Sequence, residues 1–230
     1  MGTSLRTKRP VLTEVQGRYM NTVQLTLLSL TWSVIAGVLI GVWSGRNRSK
    51  WQDYTGMTVA VSGISMPSFW IGFMLIMVFA VKYRLLPTTG AGSFKNLILP
   101  SITLGVSIAA IIARFTRSSV IEVMKEDYVR TARAKGLREK TVIWKHVFRN
   151  CMISVVTVVG LQFGFLLGGS VVTETVFAFP GLGSLLIESV NYRDYPAIQS
   201  LILIFSLHFV LINLVVDVLY AVLNPEIQLS

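Results

Sequence analysis

Residues 23–43 read VQLTLLSLTWSVIAGVLIGVW, 21 positions without a single charge. A helix needs about 20 predominantly apolar residues to cross about 30 Å of hydrocarbon, so this stretch alone can span a bilayer. Four more stretches repeat the pattern. Residues 57–81 hold 25 uncharged positions and residues 151–173 hold 23. Residues 97–113 make a shorter run of 17 that opens on a proline-containing turn, and 198–223 is interrupted only by Asp217 near one end. None of the five alternates apolar with polar residues as the strands of a membrane barrel would. The expected fold class is an all-α polytopic membrane protein with five transmembrane helices.

Composition points the same way. Of 230 residues, 53% are apolar or aromatic and only 14% are charged, with a mean hydropathy of +0.64. A soluble domain carries about 25% charged residues, so this chain has too little polar surface to cover itself in water. Intrinsic disorder, which needs low hydrophobicity and high charge, is excluded as well. A single cysteine, Cys151, allows no internal disulfide, and two histidines, His146 and His208, leave little for a zinc site.

The net charge of +10 does not point to nucleic acid, because the cations avoid the apolar runs and collect between them. Ten of the 21 Lys and Arg fall within residues 114–149, against four acids, Glu122, Glu126, Asp127 and Glu139. Such a cluster marks a cytoplasmic loop. With five spans, residues 44–56, 114–150 and 224–230 share one side and carry 13 Lys and Arg. Residues 1–22, 82–96 and 174–197 share the other and carry 8. The richer side should be cytoplasmic, placing the C-terminus inside and the N-terminus outside. An exported N-terminus without a signal peptide predicts a further helix upstream of this chain.

Glycine recurs every fourth residue in two spans: Gly37, Gly41 and Gly45 in the first, Gly160, Gly164 and Gly168 in the fourth. Each set forms a smooth stripe along which helix backbones can approach closely. Close packing within one bundle and sliding against a neighbour during gating both fit such a stripe.

Residues 114–150 are the most informative segment. Residues 122–134 contain helix formers and no Gly or Pro, Gly136 breaks the pattern, and residues 139–150 resume it with Lys140-Thr141 as the restart. Two short helices joined at Lys135-Gly136-Leu137 are expected, with Gly136 taking a left-handed turn conformation. Arg130, Arg133, Lys135 and Arg138 crowd this elbow, while Tyr128, Ala132 and Leu137 supply its apolar contacts. A basic elbow projecting from a membrane bundle suits insertion into a cleft on a soluble partner. A solvated loop obeying the positive-inside rule fits the charge alone equally well.

The run Asp127-Tyr128-Val129-Arg130-Thr131-Ala132-Arg133-Ala134-Lys135-Gly136-Leu137 resembles the cytoplasmic coupling loop of ABC importer permeases, in particular the dipeptide, oligopeptide and nickel branch. The general family pattern is Glu-Ala-Ala, three residues, then Gly. Arg130-Thr131-Ala132 and Gly136 occupy those positions, with Arg130 for Glu and Thr131 for the first Ala, as is common in that branch. Further blocks resemble the family in the same order. They are Arg18-Tyr19-Met20-Asn21-Thr22, Val61-Ser62-Gly63-Ile64-Ser65, Leu99-Pro100-Ser101-Ile102-Thr103-Leu104-Gly105, Ala113-Arg114-Phe115-Thr116-Arg117, Gly160-Leu161-Gln162-Phe163-Gly164, Pro180-Gly181-Leu182-Gly183 and Asp194-Tyr195-Pro196. Residues 160–170 and 212–220 look most like the members that transport glutathione.

The resemblance implies a type I ABC importer permease fold whose first helix is missing here. Residues 1–17 would be the remnant of a periplasmic segment. Residues 18–217 would be the transmembrane permease domain, with 114–150 as its coupling loop. Residues 218–230 would end the last helix and form a cytoplasmic tail. It implies a bacterial inner-membrane location and several partners: a second permease subunit in a heterodimer, two cytoplasmic ATPase subunits and a periplasmic substrate-binding protein. This chain would bind no cofactor or metal; ATP and Mg would sit on the partners, in keeping with the lack of a GxxxxGK[ST] phosphate loop. The implied cargo is a small peptide, glutathione first, with nickel or a metal chelate as the alternative.

Single residues carry several readings. Asp217 could meet Arg114, Arg117 or a helix end. Glu174, six residues before Pro180, could meet a substrate amine or anchor a helix end. Gln162 and Asn213 are mid-span polar residues suited to lining a path or to interhelical hydrogen bonds. His208 reads as a packed or hydrogen-bonded histidine and Cys151 as a small apolar residue. Gly168-Gly169-Ser170 and His208 superficially suggest an intramembrane serine protease, but nucleophile, base and oxyanion donors must meet in space, and no spacing here requires it. A receptor or scaffold could be built from the same spans.

Overall fold

The computed structural model describes residues 2–223, without the side chains of Ile153, Ser154, Leu167, Gly169, Asp217 and residues 219–223. The described residues form helices and no strand, apart from an isolated antiparallel bridge between Thr3 and Pro10. In chain order these are α1 (Val11–Arg46), α2 (Trp51–Ser65), α3 (Ser68–Leu75, continued by a π-helical stretch Ile76–Lys82) and α4 (Phe94–Val123). Next come α5 (Asp127–Ala134) and α6 (Glu139–Thr141), then a π-helical stretch Val142–Val147 leading into α7 (Phe148–Val176). α8 (Leu182–Asn191) and α9 (Tyr195–Leu223) complete the order.

Helices α1, α4 and α9 are each long and apolar enough to cross a membrane, and two bent pairs raise the number to five. The first pair covers the expected span over residues 57–81 but is bent by 103°: α2 ends at Ser65 and α3 starts at Ser68. Pro67 is the cause, since its ring pushes Met66 out of helical geometry and it has no N–H to continue the ladder. Pro67 itself stands in extended geometry (φ −60°, ψ 136°). Pro100, by contrast, lies inside α4 rather than in a preceding turn. It forfeits one backbone hydrogen bond there, a loss that membrane helices tolerate because neighbouring groups re-satisfy the freed carbonyl.

The loop over residues 114–150 also differs from its expected layout. α4 runs on to Val123, so the first elbow helix begins at Asp127, where Glu126 adopts extended backbone (φ −62°, ψ 144°). The second is not separate: α6 passes through its π-helical stretch directly into α7.

The chain divides into two compact units. The first comprises residues 1–31, 66–105 and 163–212, the second residues 32–65, 106–162 and 213–230. The first unit has a core of Val11, Val15, Leu182, Leu185, Ala197, Leu201 and Ile204, with Tyr19, Leu186 and Phe205 packed against it. The second packs smaller residues, Ala60, Ala110 and Ala113, with Ile40 and Met57.

Along α1 small hydroxyl residues turn inward beside the buried Val11, Val15, Leu25, Val38 and Val42. Thr22, Thr26, Ser29, Ser33 and Ser44 are buried, whereas Leu27, Ile35, Leu39 and Trp43 are exposed. Lipid is as apolar as leucine, so large side chains gain nothing by turning inward and small ones let helices approach. Two of the buried hydroxyls are satisfied locally: Thr26 donates to the Thr22 carbonyl (2.8 Å) and Ser29 to that of Leu25 (2.7 Å).

Candidate functional site

The elbow of the second unit is built on α5. Val129 and Ala132 are buried, as are Val142, Ile143 and Val147 of the π-helical stretch against which α5 packs. Tyr128, Arg130, Thr131, Arg133, Lys135 and Leu137 remain exposed, and so does Asp127. The helix stops in a Schellman motif: the Gly136 N–H donates to the Arg133 carbonyl (2.9 Å) and the Leu137 N–H to the Ala132 carbonyl (3.4 Å). Gly136 holds φ +75°, the left-handed conformation expected of it. A Cβ there would meet nothing within 4 Å, so what a larger residue would disturb is backbone conformation and not space.

Two further ties hold the elbow shut. The Arg133 guanidinium donates to both carboxylate oxygens of Glu139 (2.9 and 3.2 Å), linking α5 to α6. The Asn150 amide donates to the Tyr128 hydroxyl (2.8 Å). Ala132 lies on the buried face of the elbow, while Tyr128, Arg130, Thr131, Lys135 and Leu137 are exposed.

Arg117 was read as a possible partner of Asp217, whose side chain lies outside the described residues. Instead its guanidinium grips Asp53 at the start of α2 in a two-pronged contact (2.5 and 2.8 Å), and the Ser49 N–H donates to the same carboxylate (3.0 Å). Asp53 is only 4% exposed. The one sequence signal for this pair is that Asp53 is the sole acid in residues 44–56.

The glycine stripe of α1 faces α4. A Cβ on Gly37 would fall 2.7 Å from the Ala109 carbonyl oxygen, one on Gly41 2.5 Å from Thr116 Cβ, and one on Gly45 2.8 Å from Val120. In α7 the same spacing gives a mixed result. Gly160 lies against Val216 of α9 (2.3 Å from a Cβ), and Gly164 is buried. Gly168 is exposed and a Cβ there would meet nothing within 4 Å, so within this chain it packs no helix.

In the first unit Glu174 is fully buried and borders none of the described cavities. Thr22 of α1 donates to its carboxylate (2.8 Å), as does the backbone N–H of Ser184 in the first turn of α8 (2.9 Å). Gly183 N–H and the Ser170 hydroxyl bond it too. The Thr22 hydroxyl in turn accepts the Leu182 N–H (2.8 Å). Pro180-Gly181-Leu182-Gly183 thus brings the electropositive start of α8 onto a buried carboxyl group. Its glycines are required by space, since a Cβ on Gly181 would lie 2.3 Å from the Glu174 carboxyl carbon.

Beside this anchor lies a cavity of about 700 Å³ lined by Asn21, Gln24, Thr31, Ser93, Phe94 and Phe179 among others, none of them charged. Asn21 is fixed at its edge by donating to the Pro180 carbonyl (2.8 Å). Gln162 and Asn213 are half-buried and border none of the cavities described for either unit. His208 is held by the Ile204 carbonyl (2.8 Å) and the Tyr19 hydroxyl (2.5 Å), while Ser170 bonds Glu174. Cys151 is buried, its thiol directed to the Phe148 carbonyl (3.2 Å).

Long apolar helices, an exposed basic elbow and a cavity without charged lining are the features of a polytopic membrane protein. A family model described as the binding-protein-dependent transport system inner membrane component matches residues 37–229, and the chain belongs to that family. It is 56% identical over 228 residues to the glutathione transport system permease protein GsiC of Escherichia coli O6:H1, covering 99% of this chain and 74% of that protein. The GsiC of Salmonella typhi is 55% identical over 227 residues, with the same coverage. Among solved structures, an inward-facing MetNI methionine ABC transporter matches with a TM-score of 0.80 at 17% identity, over 94% of this chain and 98% of that one. An amino acid ABC transporter solved with histidines matches with a TM-score of 0.73 at 16% identity, over 91% and 94%. The chain is accordingly a multi-pass inner-membrane permease subunit of an ABC importer, and ATP hydrolysis belongs to separate subunits. Membership implies ATPase and substrate-binding partners and a second permease.

Proposed function

We propose that this permease carries a small peptide inward, with glutathione the leading substrate, by alternating access driven through its basic elbow. The substrate reading rests on one observation, the 56% identity to glutathione permeases across 99% of the chain. The neutral lining of the 700 Å³ cavity suits it, because a zwitterionic peptide needs hydrogen-bonding groups and few fixed charges to hold it. Elbow and C-terminus lie in the cytoplasm, following the richer share of Lys and Arg.

ATP binding can move this subunit only through a contact that differs between the ATPase states. The exposed face of α5 provides that contact. Its buried face rests on the π-helical stretch that continues into α7, so displacement of α5 is passed directly to a membrane helix. The partner permease is a different chain, and two ATPase subunits receive the two elbows.

The test is uptake by the complex reconstituted with its own binding protein, offered labelled glutathione, dipeptides and nickel in turn. Saturable glutathione uptake that requires ATP is expected. Nickel uptake without any peptide uptake would overturn the substrate and leave the family standing.

A further inference from the structure

The turn between α1 and α2, in the second unit, is strongly basic and serves none of the roles above. Arg46, Arg48 and Lys50 are exposed, and among the described residues none of the three forms an ion pair. Asp53 and Glu139 lie within electrostatic reach of Arg48 and Arg46, but each is already gripped by another arginine, Arg117 and Arg133.

The turn is fixed in shape. The Lys50 N–H donates to the Asn47 carbonyl (3.0 Å), the Asn47 side-chain amide to the Trp43 carbonyl (2.9 Å) and the Ser49 N–H to Asp53 (3.0 Å). Ser49 holds left-handed backbone (φ 61°), which a non-glycine residue keeps only where its surroundings impose it. Trp43, Trp51 and Tyr54 flank the cations, 44–67% exposed, with the two indoles edge to face at 6.1 Å. Tryptophan and tyrosine at the end of a spanning helix sit at headgroup level, one end of the ring apolar and the other wet.

One to two helical turns from the cations lies an apolar groove. Ala36 and Ile40 of α1, Val59, Ala60 and Gly63 of α2 and Ala110 of α4 border a cavity of about 160 Å³ with no charged residue in its lining. Ile40 stands about one turn before Trp43, and Ala60 about two turns after Asp53, so groove and basic turn adjoin along the same two helices.

We propose that this turn and groove bind an anionic phospholipid, its phosphate against Arg46, Arg48 and Lys50 and an acyl chain in the groove. Each half narrows the ligand. A free phosphate would leave the groove and the indoles unused, and a zwitterionic lipid would leave three cations without a net countercharge. An acidic soluble protein would not reach along two membrane helices. Basic sites between such helices suit anionic headgroups. The proposal needs only that the chain is a membrane permease, and neither the substrate nor the orientation proposed above.

The test takes the complete transporter, stripped of lipid in detergent, and titrates it with phosphatidylglycerol or phosphatidylcholine while native mass spectrometry counts bound lipids. Phosphatidylglycerol should bind more tightly than phosphatidylcholine. The Arg46→Gln, Arg48→Gln, Lys50→Gln variant should raise the Kd for phosphatidylglycerol about tenfold or more, and salt should act in the same direction. Ala36→Leu, which fills the groove and spares the charges, should lower the number of tightly bound lipids of either kind. The control, Lys8→Gln with Arg9→Gln, removes two exposed cations elsewhere and should change nothing. They lie in the turn over residues 2–10, which the Ser4 N–H closes on the Arg9 carbonyl (2.9 Å) and Asp194 holds through Ser4 and Arg6. The mass of the intact complex in the same spectra shows that each variant has assembled. Equal losses in the control and the triple variant would reduce the effect to general surface charge and overturn the proposal. So would unchanged phosphatidylglycerol binding in the triple variant. Binding that ignores Ala36→Leu would overturn it too, leaving the groove to the partner permease.

Discussion

Where the first unit brings α1, α8 and α9 together, the seam is filled by Val11, Val15, Leu182, Leu185 and Leu201, with a buried carboxylate nearby. Where the second unit brings α1 against α4, the seam holds Gly37, Gly41 and Gly45 facing backbone and Cβ atoms. One stretch of structure is secured by side-chain volume and directed hydrogen bonds, the other by the absence of side chains. The first arrangement localises a loop and a short helix, Pro180-Gly181 and α8, through polar contacts whose loss would free them. The second gives close van der Waals contact along a smooth surface, next to a small apolar cavity of about 160 Å³ lined by Ala36, Ala60, Gly63 and Ala110 among others. Substitutions should therefore fail for different reasons in the two places.

The largest effect is expected at the glycine seam. Gly41→Leu puts atoms where Thr116 and the Ala113 carbonyl stand, and overpacking of this kind costs about 1–3 kcal/mol or more. Yield of folded protein in detergent should fall sharply, while Gly168→Ala, with open space around it, should leave yield unchanged. Equal losses from both would erase the contrast between packed and open glycines.

Glu174→Ala comes next. It removes the acceptor shared by Thr22 and the start of α8, and leaving buried donors unsatisfied costs about 1–3 kcal/mol. The thermal midpoint in detergent should drop, with Glu174→Gln keeping part of it. A wild-type midpoint for Glu174→Ala would mean that the first unit is held by apolar volume alone.

The elbow should respond in function more than in stability. Gly136→Val forces a β-branched residue to φ +75° at a cost of about 1–2 kcal/mol, confined to the end of α5. The variant should insert normally and lose ATP-driven uptake. Ala132→Trp should do more, since Ala132 is buried against the rest of the elbow, and should increase protease cleavage near residue 135. Normal uptake by Gly136→Val would remove the elbow from the coupling path.

Much of this was legible in the residues. Apolar runs located all five spanning regions, and a glycine among helix formers located the elbow and its left-handed turn. Hydropathy does not register a proline inside a charge-free run; the identity of Pro67 was the signal there for the break. Polar pairing was read poorly for a physical reason. Arg117 and Asp53 are 64 residues apart, and two of the four donors to Glu174 are backbone N–H groups, which every sequence possesses. A charge count finds the charges of a fold, but not which of them a turn or a helix start will take.

The smallest effect concerns pH and separates the two units most cleanly. Burial pushes the Asp194 pKa up, but the Ser4 hydroxyl and the N–H groups of Leu5, Arg6 and Ala197 outweigh it, leaving the carboxyl below the usual aspartate value. At Glu188 burial is likewise outweighed, by Arg18 and then Arg6, so that its pKa is also lowered. A carboxylate with a depressed folded pKa contributes its full stabilisation above its unfolded value, about 4, and loses it as pH falls through the folded value. Between pH 7 and 5 the turn of residues 2–10 should stay docked; below about pH 4 it should loosen. Hydrogen exchange at the Ser4, Lys8 and Val11 amides should accelerate there, while amides of α1 around Gly37 and Gly41, which face Ala109, Ile112, Ala113 and Thr116, should keep their protection. Asp194→Asn should remove most of the pH step and leave faster exchange at every pH. Equal acceleration of both sets of amides at one pH would show the whole bundle opening together, and the two units would then have to be treated as one.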